Sequence, residues 1–478
     1  MARYETLSGG RAEIRLHLDP DLLATVESGV YDQARNTANV ADVQQVSILP
    51  DTHTGYGAPV GSVVVTRDRV IPGPVGFDIG CGMAVYLTSL QAEDIRDKAT
   101  RRALMDAICS KVAMGEGQDA LHGLRLDEPF IMDVLNHGAY ALSAKGIIPR
   151  EWLARCERPV HEIPPGGPAD TSNFTRYEVP LASVRGFKQL GTLGGGNHFL
   201  ELQEIRLSED PVMRALGERW RLRDGQLVIM IHSGSRGLGH AMGQWAFEQF
   251  KAYNDEQGEF YPDRELVHAP VDSKLGNQYL RYVAAGGNFA LANRLMMAAV
   301  VKGAIKEAFP DVAVDLLYEI SHNLAQWEPL GGENVLVHRK GTTRALPAGH
   351  PLLAGTLWEA TGHPVITPGS MGDISAIQVG LPGAEASAFS INHGAGRRMS
   401  RSKANKELDQ ATVDADLAEK DVLINHRNAP LDEAPAAYKP LADVLRAVRY
   451  CGLADVVATC RPLAAMKGGA SGHRKRGR

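Results

Sequence analysis

Val75-Gly76-Phe77-Asp78-Ile79-Gly80-Cys81-Gly82-Met83 is the stretch around which the rest of the chain is organised. It sets one carboxylate and one thiol three residues apart, with glycines before, between and after them. An acidic oxygen and a soft sulfur this close can hold one metal ion or share two. Three later stretches each bring a histidine beside small or amide residues: Gly196-Asn197-His198, Ile231-His232-Ser233-Gly234 and Ile320-Ser321-His322-Asn323. Asp78 and Cys81 are therefore expected to anchor a site that His198, His232 and His322 complete.

Upstream of this stretch, Val46-Ser47-Ile48-Leu49-Pro50 reads as a strand running into Asp51-Thr52-His53-Thr54-Gly55-Tyr56-Gly57. That segment is either a hairpin turn with an aspartate cap or polar groups presented on a rigid frame, and the residues alone leave both open. Downstream, Ala92 to Val112 has helical spacing, and residues 115–180 read as loop-rich, solvent-facing insertions. Leu227 to Ile231, Val314 to Ile320 and Asn334 to His338 read as strands. Residues 273–308 read as one or two amphipathic helices with Gly286-Gly287-Asn288 between them, and Met399 to Ala411 as a helix. An apolar strand followed by histidine and then small or polar residues recurs before His232, His322 and His393. A single case of this pattern is more often a hydrogen-bonded histidine at a strand end; several, with Asp78 and Cys81 available, favour ligation.

Composition narrows the class. The chain has 478 residues, 44% hydrophobic and 22% charged, as in an ordinary globular protein, and length alone predicts about three domains. The net charge of −5 supplies no global field for nucleic acid, so any such site must be a local basic patch. No apolar run reaches the ~20 residues of a membrane span, and Met1 to Thr6 begins no secretory signal. The 5 cysteines are few, odd in number and scattered, which points to a reducing cytoplasm.

His393 differs from the other three. Gly394-Ala395-Gly396-Arg397 follows it, so backbone amides and a guanidinium lie just beyond, groups that bind phosphate. An imidazole beside phosphate and metal can attack phosphorus to form a phosphoramidate. It could equally be a fourth strand-end histidine, and composition does not choose. Arg339, Lys340 and Arg344 form one short basic cluster and Arg397, Arg398, Arg401 and Lys403 another. If both face the metal site they form a groove for an anionic substrate, with Arg236, Arg339, Lys340, Arg344 and Arg397 as the candidate RNA or phosphate contacts, although charge alone reads as solvated surface.

Together these motifs resemble the RNA-splicing ligase RtcB family, from Pro50-Asp51-Thr52-His53 to Met466-Lys467-Gly468. The shared stretches include Gly76 to Met83, Leu190 to Phe199, His232-Ser233-Gly234-Ser235-Arg236-Gly237, Ser321-His322-Asn323, Arg339 to Ala345, Pro368 to Gly372 and His393 to Arg397. The resemblance implies a GTP- and manganese-dependent RNA ligase. Such enzymes join RNA 2′,3′-cyclic phosphate or 3′-phosphate ends to 5′-hydroxyl ends in tRNA splicing or RNA repair. It makes His393 the guanylylated nucleophile and Cys81 a bridge between two Mn2+ ions. One ion would be completed by His232 and His322, the other by Asp78 and His198. Asn197, Phe199, Glu201, Asn323, Ser370, Ser375, Ala395, Gly396, Tyr438 and Lys467 would surround the guanylate. It further implies an α+β fold: one compact domain over residues 1–467, with mixed and antiparallel sheets around a central dinuclear site. Residues 468–478 would form a basic tail. RNA and GTP are the expected partners of a cytoplasmic monomer, with an archease-like activator as a further candidate. Thr52, Gly195 and Ile391-Asn392 depart mildly from the family pattern and remove no proposed ligand. A metal-dependent phosphohydrolase or nuclease, and a non-catalytic RNA-binding repair factor, are the competing readings.

Overall fold

Residues 2–166 and 171–468 are described by a computed structural model. The tail expected over 468–478 therefore lies outside the described residues except for Gly468. The fold is α+β, built on two large, mainly antiparallel sheets. The first has six strands in the order Glu5–Leu7, Glu13–Leu16, Val43–His53, Val60–Thr66, Glu333–Lys340, Asn323–Leu330. The second has eight; seven run in the order Val314–Ser321, Gly82–Gln91, Gln226–Ser233, Phe199–Leu207, Ala454–Met466, Ser375–Gly380, Pro364–Thr367. The eighth, Leu423–Ile424, pairs in parallel with Ala454–Met466.

Alternation along these strands builds two apolar layers. Ala84, Tyr86, Ile229 and Ile231 face one layer, which the helix Lys274–Ala308 fills. Met83, Val85, Val228 and Met230 face the other, with Trp220 and Trp358. His232 continues the Val228–Met230 face, so its ring stands at the end of that second layer.

The antiparallel pairing explains why distant ligands meet. Gly82 is opposite Ser321 on one side and Ser233 on the other, and Phe199 is opposite His232. Two strands therefore begin where two others end. Cys81 and His198 precede the starts, and His232 and His322 fall at the ends. A short ladder, Thr342–Arg344 against Ser390–Asn392, brings His393 to the same edge.

Four segments differ from the sequence reading. Ala92 to Val112 is not one helix but a 3-10 turn, Ala92–Ile95, and a helix, Lys98–Cys109, that starts at the Asp97 cap. Residues 273–308 form one continuous helix, Lys274–Ala308, rather than two. Gly286 and Gly287 do not break it; they admit close neighbours. A Cβ on Gly286 would lie 2.9 Å from Ile79 Cγ2, and one on Gly287 would lie 2.8 Å from His161 Cδ2. Residues 115–180 are not mere surface insertions: helices Glu128–His137 and Ala139–Ala144 put Ile131, Val134 and Leu142 into the main core, with Trp152 nearby. The helix expected from Met399 to Ala411 is Arg401–Glu407, and a second helix, Gln410–Glu419, starts at the Asp409 cap. No helix among the described residues is long and apolar enough to cross a membrane.

Candidate active site

A cavity of about 420 Å³ opens at the edge where these strand ends converge. Cys81 Sγ lies 3.4 Å from His198 Nε2 and 3.3 Å from His232 Nε2. His232 Nε2 lies 3.3 Å from His322 Nε2, and His198 Nε2 lies 3.0 Å from Asp78 Oδ2. The groups form two clusters sharing Cys81: Cys81 with His232 and His322, and Asp78 with Cys81 and His198, the ligand atoms of each within 4.8 Å of one another.

Of the ring nitrogens pointing away from these clusters, those of His198 and His232 are bonded to backbone, while His322 Nδ1 has no hydrogen-bond partner among the described residues. His198 Nδ1 is 3.1 Å from Leu193 O, and His232 Nδ1 is 3.1 Å from Asn197 O. A carbonyl accepts, so each Nδ1 donates its hydrogen, and His232 Nε2 is left with a lone pair. His198 Nε2 then faces a carboxylate oxygen, an arrangement that requires a proton or a cation between them. Burial drives the His232 and His322 pKa values well below the ordinary histidine range, so both imidazoles are neutral. Burial, with the Asp78 charge beside it, raises the Cys81 thiol well above its ordinary value. Burial would raise Asp78 too, but the His198 hydrogen bond and charge and the Arg236 charge hold it below the usual carboxylate range. Neutral imidazoles, a thiol and a carboxylate converging in a buried cluster fit divalent transition ions, whose charge would also release the thiol proton.

The helix Lys274–Ala308 locks the four loops that carry these ligands. Asn293 Oδ1 accepts from Gly191 N (2.7 Å) and Thr192 N (3.0 Å), and Nδ2 donates to Ser233 Oγ and Gly234 O, both at 3.1 Å. Arg294 donates to Gly80 O (2.8 Å), Ser233 O (2.7 Å) and Ser321 Oγ (3.1 Å) while paired with buried Glu319.

His393 lies against the cluster, its ring centroid 5.0 Å from that of His322. Its Nδ1 is 2.6 Å from Asp51 Oδ2, and the same oxygen accepts from His393 N at 3.1 Å. Asp51 is fully buried. Nδ1 therefore carries the hydrogen, and Nε2 is the nitrogen left to react. Lys439 Nζ donates to Pro50 O (3.0 Å) and Thr52 O (2.7 Å), fixing the backbone on both sides of Asp51. Gly396 is required at its position: with φ +73°, a Cβ there would fall 2.0 Å from Asp51 O.

A second polar group closes one end of the cavity around Glu433. Tyr438 Oη donates to Glu433 at 2.7 Å, Lys467 Nζ at 3.1 Å and Arg401 Nη1 at 2.5 Å. Arg397 donates to Tyr438 Oη at 2.9 Å and lies 3.5 Å from Glu433. Burial would raise the Glu433 pKa, yet Lys467, Arg401 and Arg397 hold it down at about 2. Three cations face one buried carboxylate and the half-buried Asp432, which suits this end to an anion.

The cavity thus gathers Asp78, Cys81, His232, His322, Asn197, Phe199, Asn323, Ser370, His393, Ala395, Gly396, Arg397, Tyr438, Lys467 and Lys340. Glu201 and Ser375 lie one layer beneath, joined by Gln203 Nε2, which donates to Glu201 at 2.6 Å and to Ser375 at 3.1 Å. Burial raises the Glu201 pKa to about 7. Arg236 sits beside Asp78, its Nε donating to Thr192 Oγ1 at 3.2 Å. Arg339 and Arg344 do not reach the cavity. Adjacent strand residues point to opposite faces, so Lys340 turns inward to the cavity and Arg339 away from it. Arg339 and Arg344 are buried against Glu328, at 2.5 and 2.6 Å. Sequence reasoning missed Asp51, whose Asp-x-His setting was a usable signal. It also missed Glu433, which stands in a stretch without one, and the cavity residues Tyr56, Phe77 and Phe247.

Comparison with known proteins adds an independent line. The family described as tRNA-splicing ligase RtcB matches residues 33–468. The chain is 35% identical over 474 residues to the tRNA-splicing ligase RtcB of Thermococcus kodakarensis, covering 95% of this chain and 94% of that one. It is 35% identical to the protein of the same name from Nanoarchaeum equitans, covering 95% of each. It is 36% identical to the RNA-splicing ligase RtcB of Mycobacterium tuberculosis, covering 91% of this chain and 100% of that one.

Proposed function

The chain belongs to the RtcB family of tRNA-splicing ligases, and from that membership we propose that it is an RNA ligase. It uses GTP to join RNA ending in a 2′,3′-cyclic phosphate or 3′-phosphate to RNA with a 5′-hydroxyl. Residues 1–467 act as one catalytic unit, since the cavity draws on residues from His53 to Lys467.

The residues that would hold two Mn2+ ions are Cys81 with His232 and His322, and Asp78 with Cys81 and His198. Bound there, the ions would offset phosphate charge and stabilise attacking and leaving oxygens. His393 Nε2 attacks the α-phosphorus of GTP; an N–P bond forms, and the bond to pyrophosphate breaks. Asp51 holds the hydrogen on Nδ1 and stabilises the positive charge that develops on the ring, as a buried carboxylate does for a catalytic histidine. Water first opens a 2′,3′-cyclic phosphate to the 3′-phosphate, breaking the P–O2′ bond; an oxygen of the RNA 3′-phosphate then displaces His393 from the GMP phosphorus, giving an RNA(3′)pp(5′)G end. The 5′-hydroxyl oxygen attacks the RNA phosphorus, loses its proton and releases GMP. Phe199, Asn197, Asn323, Ser370, Ala395, Gly396, Tyr438 and Lys467 surround the guanylate, with Glu201 and Ser375 behind them. Arg397 and Lys340 contact phosphate.

The observation that carries this reading is the pinned tautomer of His393 against the two-cluster ligand set, 2.6 Å from Asp51 and 5.0 Å in ring centroid from His322. Incubation with α-labelled GTP and Mn2+ should leave acid-labile label on the wild-type protein and none on His393→Ala. Equal labelling of the two proteins, or RNA cleavage without any GTP requirement, would reject the mechanism.

A further inference from the structure

We propose that Tyr56, backed by Phe77, is a stacking platform for an unpaired nucleobase. The base belongs to the terminal nucleotide of the RNA strand that carries the 3′-phosphate. The proposal rests on the RNA-ligase reading and adds to it a contact for that strand. Tyr56 is 66% exposed, with the Phe77 ring against it. Its backbone is nevertheless held on both sides. Gln33 donates to Gly55 O at 2.6 Å and accepts from Gly55 N at 3.0 Å. Lys340 Nζ donates to Tyr56 O. Gly57 takes φ +66°, and a Cβ there would lie 2.8 Å from Glu265 Cβ. The ring is thus presented to solvent by a fixed frame, not by a loose loop tip.

Behind it, the Phe77 ring packs edge-on at 6.3 Å and 81°. Phe77 in turn packs on Phe247 at 4.9 Å and on His240 at 5.2 Å, both on the helix Arg236–Gln257. Phe77 is the neighbour of Asp78, so the aromatic surface begins one residue from the ligand cluster. Tyr56, Phe77 and Phe247 line the same cavity as His393. Phe199, Tyr438 and Lys467 form a separate set, and no ring contact among the described residues joins the two. One cavity with phosphate-binding cations and two separate aromatic surfaces suits two bases. The guanine takes the Phe199 set, which leaves the Tyr56 surface for an RNA base. Single-stranded RNA ends offer unstacked bases to such rings, and stacking tolerates any base.

The test is binding of a fluorescent RNA with a 3′-phosphate to the full-length protein, in Mn2+ without GTP. Removing the base of the terminal nucleotide should raise the Kd about tenfold for wild type, as should Tyr56→Ala with the intact RNA. The two changes together should cost no more than either alone. Tyr56→Phe should keep wild-type affinity and the full abasic penalty, and melting temperatures check that the variants fold. Additive penalties, an intact Kd for Tyr56→Ala, or a loss in Tyr56→Phe equal to that in Tyr56→Ala would overturn the platform. So would a penalty seen only when the abasic site is moved to the 5′-hydroxyl strand. Joining in the presence of GTP is scored separately: its absence from wild type rejects the ligase reading, while the binding comparison still decides the platform.

Discussion

Asp51 decides which nitrogen of His393 is free. Its carboxylate takes the Nδ1 hydrogen at 2.6 Å and the His393 N–H at 3.1 Å, so neither the tautomer nor the ring orientation is left to solvent. Asp51→Asn keeps the shape but offers an amide that can donate to Nδ1, which favours the wrong tautomer. Labelling from GTP should slow by about 10²-fold or more, by analogy with other buried aspartate–histidine pairs. A rate within a few-fold of wild type would remove Asp51 from this role. His17, which does not line the cavity, carries a second single-residue prediction. Burial, with the Arg15 charge, lowers the His17 pKa from 6.5 to about 4. The unfolded chain therefore binds an extra proton between those values, and stability must fall as pH drops through that window. The cost is absent above 6.5 and reaches about 3 kcal/mol near pH 4. His17→Leu should flatten this part of the stability–pH curve measured by urea unfolding; an unchanged slope would mean that His17 keeps its proton in the fold.

At the level of elements, the ligand cluster was legible because strand ends are legible. An apolar run followed by histidine marks where a strand stops, and antiparallel neighbours bring starts beside stops. The helix Lys274–Ala308 was harder to read. Its glycine pair looked like a break, and only the neighbours Ile79 and His161 explain it as close packing. Nor could Asn293 and Arg294, polar residues within an apolar helix, announce that they tie down the loops before His198, after His232 and around Cys81 and His322. This arrangement predicts a metal effect without a ligand change. Asn293→Asp keeps the acceptor for Gly191 N and Thr192 N but loses the donors to Ser233 and Gly234. Mn2+ affinity, read by titration calorimetry, should weaken about 10–100-fold, as for other groups that orient metal ligands. Unchanged affinity in a folded variant would show that the strands alone set the cluster.

Over the whole molecule, the charge distribution separates residues that hold the fold from those that face a substrate. With a net charge of −5, an RNA site has to be a local basic patch, and the basic run Arg339-Lys340-Gly341-Thr342-Thr343-Arg344 forms one only if it faces the metal site; charge alone reads as solvated surface. The fold divides that run. Arg339 and Arg344 are buried against Glu328, and Arg344 also lies 3.3 Å from Glu157, so their charges are neutralised inside the protein. Sequence spacing could not reveal this, because the partner carboxylates lie on other strands and loops. Lys340, Arg397 and Arg401 remain on the cavity wall, the last two sharing Glu433. Few cations are thus free to displace counterions from RNA. With about three effective phosphate contacts, log K for single-stranded RNA should fall against log salt with a slope of about −2. Arg397→Gln should make that slope shallower by about 0.7. Arg344→Met should leave the slope alone and instead lower the melting temperature, because it strips the buried Glu157 side chain of its ion pair and leaves Glu328 with Arg339 alone. A slope steeper than about −4 in wild type, or a shallower one in Arg344→Met, would place the RNA on a basic surface other than this cavity.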